Sequence, residues 1–156
     1  MLEKIKKSPF LELFSKTLSE ERSLLFENLW DCPKAILACK AIEALGKSCV
    51  IITGSDRQDK LLDDLQFFSL AECLEFPSWE ILPTEEIPPS ADIVGKRFEI
   101  LEKISHSHEN KIVVTNLQAA LQKIPPFEIL SSQCRHIKVK DRWVFEKIEM
   151  ELDSLG

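Results

Sequence analysis

At 156 residues, with 44% hydrophobic residues, a net charge of -6 and a pI of about 5.2, the chain makes one ordinary domain, or one domain with part of another, and can bury a core. The acidic balance excludes a free-standing nucleic-acid binder driven by electrostatics. No apolar run approaches the roughly 18 residues of a membrane span, and the opening Met-Leu-Glu-Lys-Ile-Lys-Lys lacks the apolar core of a secretory signal. Five cysteines, at 32, 39, 49, 73 and 134, are odd in number, sit mostly on apolar positions and include no Cys-x-x-Cys. That pattern fits buried thiols in a reducing cytoplasm and supplies no metal-ligand set. His106 and His108 lie in a polar run that reads as a solvated loop.

Taken in order, residues 7–18 form an amphipathic helix, with Ser8 as cap and Pro9 in its first turn. Residues 23–29 (Ser-Leu-Leu-Phe-Glu-Asn-Leu) are expected to be a first buried strand. Residues 33–45 place Ile36, Leu37, Ala41, Ala44 and Leu45 at helical spacing, and Gly46 stands where a left-handed C-cap belongs. The β-branched run 48–53 predicts a parallel strand covered on both faces. Ser55 and Gln58 make a capping-box pattern for a helix over 56–68, with Leu61, Leu62, Leu65 and Phe68 on one face. A strand at 72–76, a helix from Ala91 to about 104 capped by Ser90, a buried strand at 111–115 and a short helix at 117–122 capped by Asn116 follow. Alternating strands and helices predict an α/β fold: a parallel sheet with helices on both faces.

Between the strand at 72–76 and the helix at Ala91 runs an extended loop with prolines at 77, 83, 88 and 89. Proline lacks a backbone donor and fixes φ, so this stretch is neither inner strand nor helix interior. Trp79, Ile81, Leu82 and Ile87 are its apolar anchors; Trp79 reads first as a core anchor under the loop and second as part of a binding surface. Lys123-Ile-Pro-Pro-Phe127 marks a boundary, dividing the chain into residues 1–123 and 124–156. After it, residues 135–140 alternate as a half-exposed strand. Asp141 can cap a last helix with Val144, Ile148, Leu152 and Leu155 in register, and Gly156 stands at a C-cap position. This final strand and helix have no sheet to complete, so the chain is expected to be an amino-terminal fragment.

Chemistry is sparse. The first strand-to-helix turn, Asn28-Leu-Trp-Asp-Cys-Pro-Lys-Ala35, sits where a phosphate loop would be. Lys34 holds the place of the phosphate lysine. Asn28 and Pro33 stand at the two glycine positions, Ala35 replaces the magnesium hydroxyl, and Asp31 adds negative charge. Lys34 therefore reads as a solvated helix-start lysine, with nucleotide binding or hydrolysis through a non-standard loop as the alternative. Glu80, Glu85, Glu86 and Asp92 surround the proline loop without forming a defined acid/base pair. Asp92 suits the first turn of a helix, and Arg97 pairs with it or with the loop. Cys134 and His136, two apart on a strand, share a face; packing is the simpler reading.

The segment Phe-Pro-Ser-Trp-Glu-Ile-Leu-Pro ending at 83, followed by Pro89 and Ser-Ala-Asp-Ile-Val-Gly-Lys-Arg97, resembles the amino-terminal, excinuclease-B-like module of bacterial transcription-repair coupling factors. Its motif residues here are Trp79, Glu80, Leu82, Pro83, Asp92 and Arg97. The resemblance implies a degenerate P-loop-NTPase-like subdomain, with Lys34 as a vestigial phosphate-loop position. It also implies the start of a small α+β subdomain that docks the excinuclease A subunit, mostly beyond Gly156. It implies no catalysis and no cofactor for this part. The parent would be a cytoplasmic, ATP- and magnesium-dependent DNA translocase that displaces stalled RNA polymerase and recruits nucleotide excision repair. RNA polymerase and DNA would be bound by parts absent here. The chain has no tyrosine, so it lacks the tyrosine-rich DNA-clamping hairpin of the excinuclease B subunit.

Overall fold

The computed structural model describes residues 8–79, 88–133, 139, 142 and 144–155. Two compact units divide between Gln122 and Lys123.

The first unit opens with α1 (Pro9–Glu20), with Pro9 at its first position, and α2 (Asp31–Leu45). Gly46 ends α2 in the left-handed region, at φ 59°, where an added side chain would be strained. Then come β1 (Cys49–Thr53), a 3-10 turn (Ser55–Arg57), α3 (Gln58–Phe68) and β2 (Glu72–Phe76). After the proline loop follow α4 (Ala91–His106), β3 (Lys111–Asn116) and α5 (Leu117–Leu121). Ser90 caps α4 by accepting from the Ile93 amide, and Asn116 caps α5 by accepting from the Ala119 amide at 2.8 Å.

The three strands among the described residues are parallel, in the order β1-β3-β2. The chain steps from β1 across to β2 by way of α3, then back to β3 by way of α4. Right-handed crossovers require those opposite steps to place α3 and α4 on opposite faces, and they do. On one face Ala35, Cys39 and Ile42 of α2 and Leu65 of α3 pack on Ile112 and Val114, joined by Cys49, Ile51, Cys73, Leu61, Leu62 and Phe68. On the other, Ile100 of α4 and Ala119 of α5 pack on Leu74, Phe76 and Val113. At the start of the sheet, Ser48 Oγ accepts from the Lys111 amide at 3.1 Å, and Lys111 Nζ meets Glu72 at 2.6 Å. Burying the Lys111 stem and leaving its ammonium beside a carboxylate is a common solution for a lysine at a strand start.

Several expectations need correction. Residues 23–29 form no strand. They hold no β-branched residue, Asn28 adopts φ 57°, and Leu24 and Leu29 pack with α1 and α2 instead. Phe26 lies edge-on to Phe10 and Phe14. Without that strand β1 is an edge among the described residues, and it is covered there on one face only: Val50 and Ile52 are 64% and 54% exposed. The Ser55 capping box does not form, because residues 55–57 turn as a 3-10 helix with no side-chain cap. Gln58 is buried and donates to Glu75 at 3.3 Å. Ser8 likewise makes no side-chain cap bond to α1.

The second unit contains α6 (Phe127–Gln133), which the sequence reading missed, and α7 (Phe145–Leu155). The Pro126 carbonyl accepts from the Ile129 and Leu130 amides to start α6, and the Val144 carbonyl does the same for α7 from Lys147 and Ile148. The strand expected at 135–140, apart from Val139, together with the Cys134–His136 pair, Asp141 and Gly156, lies outside the described residues.

Leu65 is fully buried between α2 and the sheet. Leu65→Ala should cost about 2–5 kcal/mol of stability; a urea unfolding midpoint equal to wild type would show that this layer is not the core.

Candidate functional site

Two places on the first unit bring together the residues picked out above. The first is the anchor of the proline loop. Arg97, on the buried side of α4, is 2% exposed. Its guanidinium lies between the Phe76 ring at 4.2 Å and the Trp79 ring at 4.3 Å, in the geometry of a cation–π sandwich. Nη1 donates to the Pro77 carbonyl and to Gln122 Oε1. The same Gln122 oxygen accepts from the Trp79 amide at 2.9 Å. Thr115 Oγ1 donates to the Phe76 carbonyl at 2.9 Å, Asn116 Nδ2 to Ser78 Oγ at 3.4 Å, and Gln118 Nε2 to the Trp79 carbonyl at 3.4 Å. Every residue from Phe76 to Trp79 is thus tied to α4, β3 or α5. Nη2 of Arg97 is buried with no hydrogen-bond partner among the described residues, and burial lowers the guanidinium's pKa.

Arg97 therefore turns to the loop and not to Asp92, which is exposed in the first turn of α4. Trp79 is half-buried, so it is both an anchor and part of the surface. Glu80, Leu82 and Pro83 lie outside the described residues, as do Ile81, Glu85, Glu86 and Ile87. Beside the anchor, half-buried Glu75 takes an ion pair from Lys96 and a hydrogen bond from Gln58. The sequence reading missed Gln118, Gln122 and Thr115. Their side chains point to a loop some forty residues earlier, and no local spacing announces that.

The second place is the cleft where β1 ends. Asp31 and Lys34 from the first turn of α2, Thr53 from β1, and Arg57, Lys60 and Leu61 around the start of α3 line it. Lys34 is exposed at its rim. Lys60 makes an ion pair and hydrogen bond to Asp31, which hold that carboxyl below the usual range and raise the ammonium. Cys32, exposed and not buried as its pattern suggested, donates its thiol to Asp64 at 3.4 Å. That bond to a carboxylate pushes the thiol pKa up, so Cys32 is no activated nucleophile. The described cysteines, 32, 39, 49 and 73, are free thiols. His106 and His108 are exposed, the former as the last residue of α4. No helix among the described residues is long and apolar enough to cross a membrane.

Arg97→Ala should destabilise the first unit by about 2–4 kcal/mol, because Pro77 and Gln122 lose a donor and two rings lose their filler. Urea unfolding followed by tryptophan fluorescence reads this, and an unchanged midpoint would remove Arg97 from the anchor. At the opposite end of the sheet, the hydrogen bond from Lys111 holds the Glu72 carboxyl below its ordinary value. A carboxyl lowered on folding contributes stability that is present above its unfolded pKa, about 4.3, and is lost as pH falls through the folded value. The gap between wild type and Glu72→Gln should therefore narrow from pH 7 to pH 3; a constant gap would mean that the ion pair adds nothing.

No protein-family model matches the chain. Among curated proteins it is similar to transcription-repair-coupling factors: 28% identical over 111 residues to that of Rickettsia conorii (68% of this chain and 10% of the relative). To that of Haemophilus influenzae it is 26% identical over 125 residues (77% and 11%). To that of Mycobacterium tuberculosis it is 31% identical over 98 residues (58% and 8%). The chain spans about a tenth of the length of the curated relatives it matches. The similarity to proteins of that name covers half to three quarters of this chain, consistent with an amino-terminal module of a transcription-repair-coupling factor.

Proposed function

We propose that this chain is a non-catalytic amino-terminal part of a transcription-repair coupling factor and serves as scaffold for docking the excinuclease A subunit. The parent protein would use ATP to translocate on DNA, displace stalled RNA polymerase and bring in nucleotide excision repair. The observation that carries the reading is the similarity to proteins of that one name, over a segment whose motif residues Trp79 and Arg97 pack on each other. The chemistry of the segment leading into α2 supports the absence of catalysis. Lys34 remains, but neither a glycine nor a magnesium-binding hydroxyl accompanies it, and residues 23–29 add no strand to the sheet behind it. The turn is a degenerate phosphate loop in this reading.

The second unit, residues 123–156, falls below the roughly 40 residues that usually fold without help. Docking through it would need further chain. A pull-down with the excinuclease A subunit, using this chain and a version extended by about 60–100 residues to finish a small domain, tests this. Capture by the extended version alone is the expected result and places the contact past Gly156. Capture by neither would sink the docking role and leave a likeness of sequence and fold.

A further inference from the structure

We infer that Asp31 is the built-in anion of the cationic cleft at the end of β1, its carboxylate holding the position that a small phosphate-type dianion would otherwise take. The inference rests on the reading of this turn as a phosphate-loop remnant that holds no nucleotide, and it names what has replaced the phosphate.

Three features make the cleft attractive to an anion. It lies outside the carboxyl end of β1, with Thr53 in its lining. Open parallel sheets bind ligands outside the carboxyl ends of their strands. Two helices begin there, α2 of 15 residues and α3 of 11, and each start carries partial positive charge. The small cleft, of about 30 Å³, is lined by three cations, Lys34, Arg57 and Lys60, with Thr53 and Leu61, and Asp31 is the carboxylate in its lining; Asp64 lies near enough to act on Lys60 from outside it.

Asp31 occupies the first position of α2 and is engaged by Lys60 from across the cleft. Arg57 is drawn partly aside by Asp56, at 3.6 Å. Pro33 deprives the first turn of an amide donor, so side-chain cations would have to do the recognising. No aromatic side chain among the described residues lines the cleft, which favours a bare phosphate over a nucleotide base. A dianion entering beside Asp31 would meet like charge and would have to take Lys60 from it. Neutralising Asp31 removes the repulsion and frees the ammonium.

The test is isothermal titration of the chain with inorganic phosphate and, separately, with Mg-ATP. Asp31→Asn keeps the side-chain shape; Asp31→Ser, also suited to a helix start, stands in if the first variant loses its far-UV circular dichroism. The expected result is no binding of either ligand by wild type and a gain of roughly tenfold or more in phosphate affinity on neutralisation. Adding Lys60→Met should abolish the gain. A silent wild type with no gain in either Asp31 variant overturns the built-in anion and leaves the non-nucleotide reading standing. Gain that survives Lys60→Met also overturns it, because the cleft would not be the site. Mg-ATP binding by wild type overturns both.

Discussion

A buried guanidinium holds the first unit's working edge together. Taking a charge the size of Arg97 out of water costs several kcal/mol even after relaxation. The cost is offset only if acceptors and polarisable surfaces surround it. Here the Pro77 carbonyl, the Gln122 amide oxygen at the end of α5 and two aromatic faces do so. Arg97 in turn helps to hold Pro77, Trp79 and Gln122. Gln122 is shared between its Nη1 and the Trp79 amide, so losing the arginine leaves an acceptor half-used and two rings without their filler. The dependence runs both ways, and the prolines at 77, 83, 88 and 89 make it necessary. A loop that cannot form its own backbone ladder must borrow its order from neighbouring elements.

Sheet topology explains why the anchor and the cationic cleft are separate. The return of the chain from β2 to the central β3 puts α4 and α5 on one face, with α2 and α3 on the other. The proline loop leaves from β2 on the α4 face; the cleft opens beside β1, between the starts of α2 and α3. An acidic chain thus concentrates cations where two helix starts already favour negative charge, and meets them with its own carboxylates, Asp31 and Asp64 towards Lys60 and Asp56 towards Arg57. The same topology leaves β1 at an edge with Val50 and Ile52 in solvent, while the opposite edge strand, β2, carries Glu72 and Glu75. Charges on an edge strand discourage pairing with other chains; β1 has none.

Local chemistry was legible in the sequence wherever one element sufficed to decide it. Strand β2 matches its expected bounds, Gly46 ends α2 in the left-handed region, Ser90 and Asn116 cap their helices, and Leu61, Leu62, Leu65 and Phe68 share a core-facing side. Each rests on backbone sterics, a side-chain oxygen three residues from an amide, or a 3.6-residue period, all written within a few neighbours. The family likeness was legible for a similar reason: prolines and tryptophan at fixed spacing are rare enough to be specific.

Tertiary structure decided what depends on contacts between distant residues. Residues 23–29 have the apolar content of a strand, yet whether they join a sheet turns on a competing surface, and α1 supplies it through Phe10 and Phe14. Arg97 had two partners open to it in the sequence; burial against Phe76 and Trp79 selected the loop, because a guanidinium withdrawn from water goes where acceptors and ring faces converge. Gln118 and Gln122 gave no sign of their part, since their targets lie some forty residues away. The sequence by itself determined most of the first unit's strands and helices and the Ser90, Asn116 and Gly46 caps, through interactions a few residues long. The fold decided the loop anchor and the cleft, because each exists only where side chains from three or more elements meet.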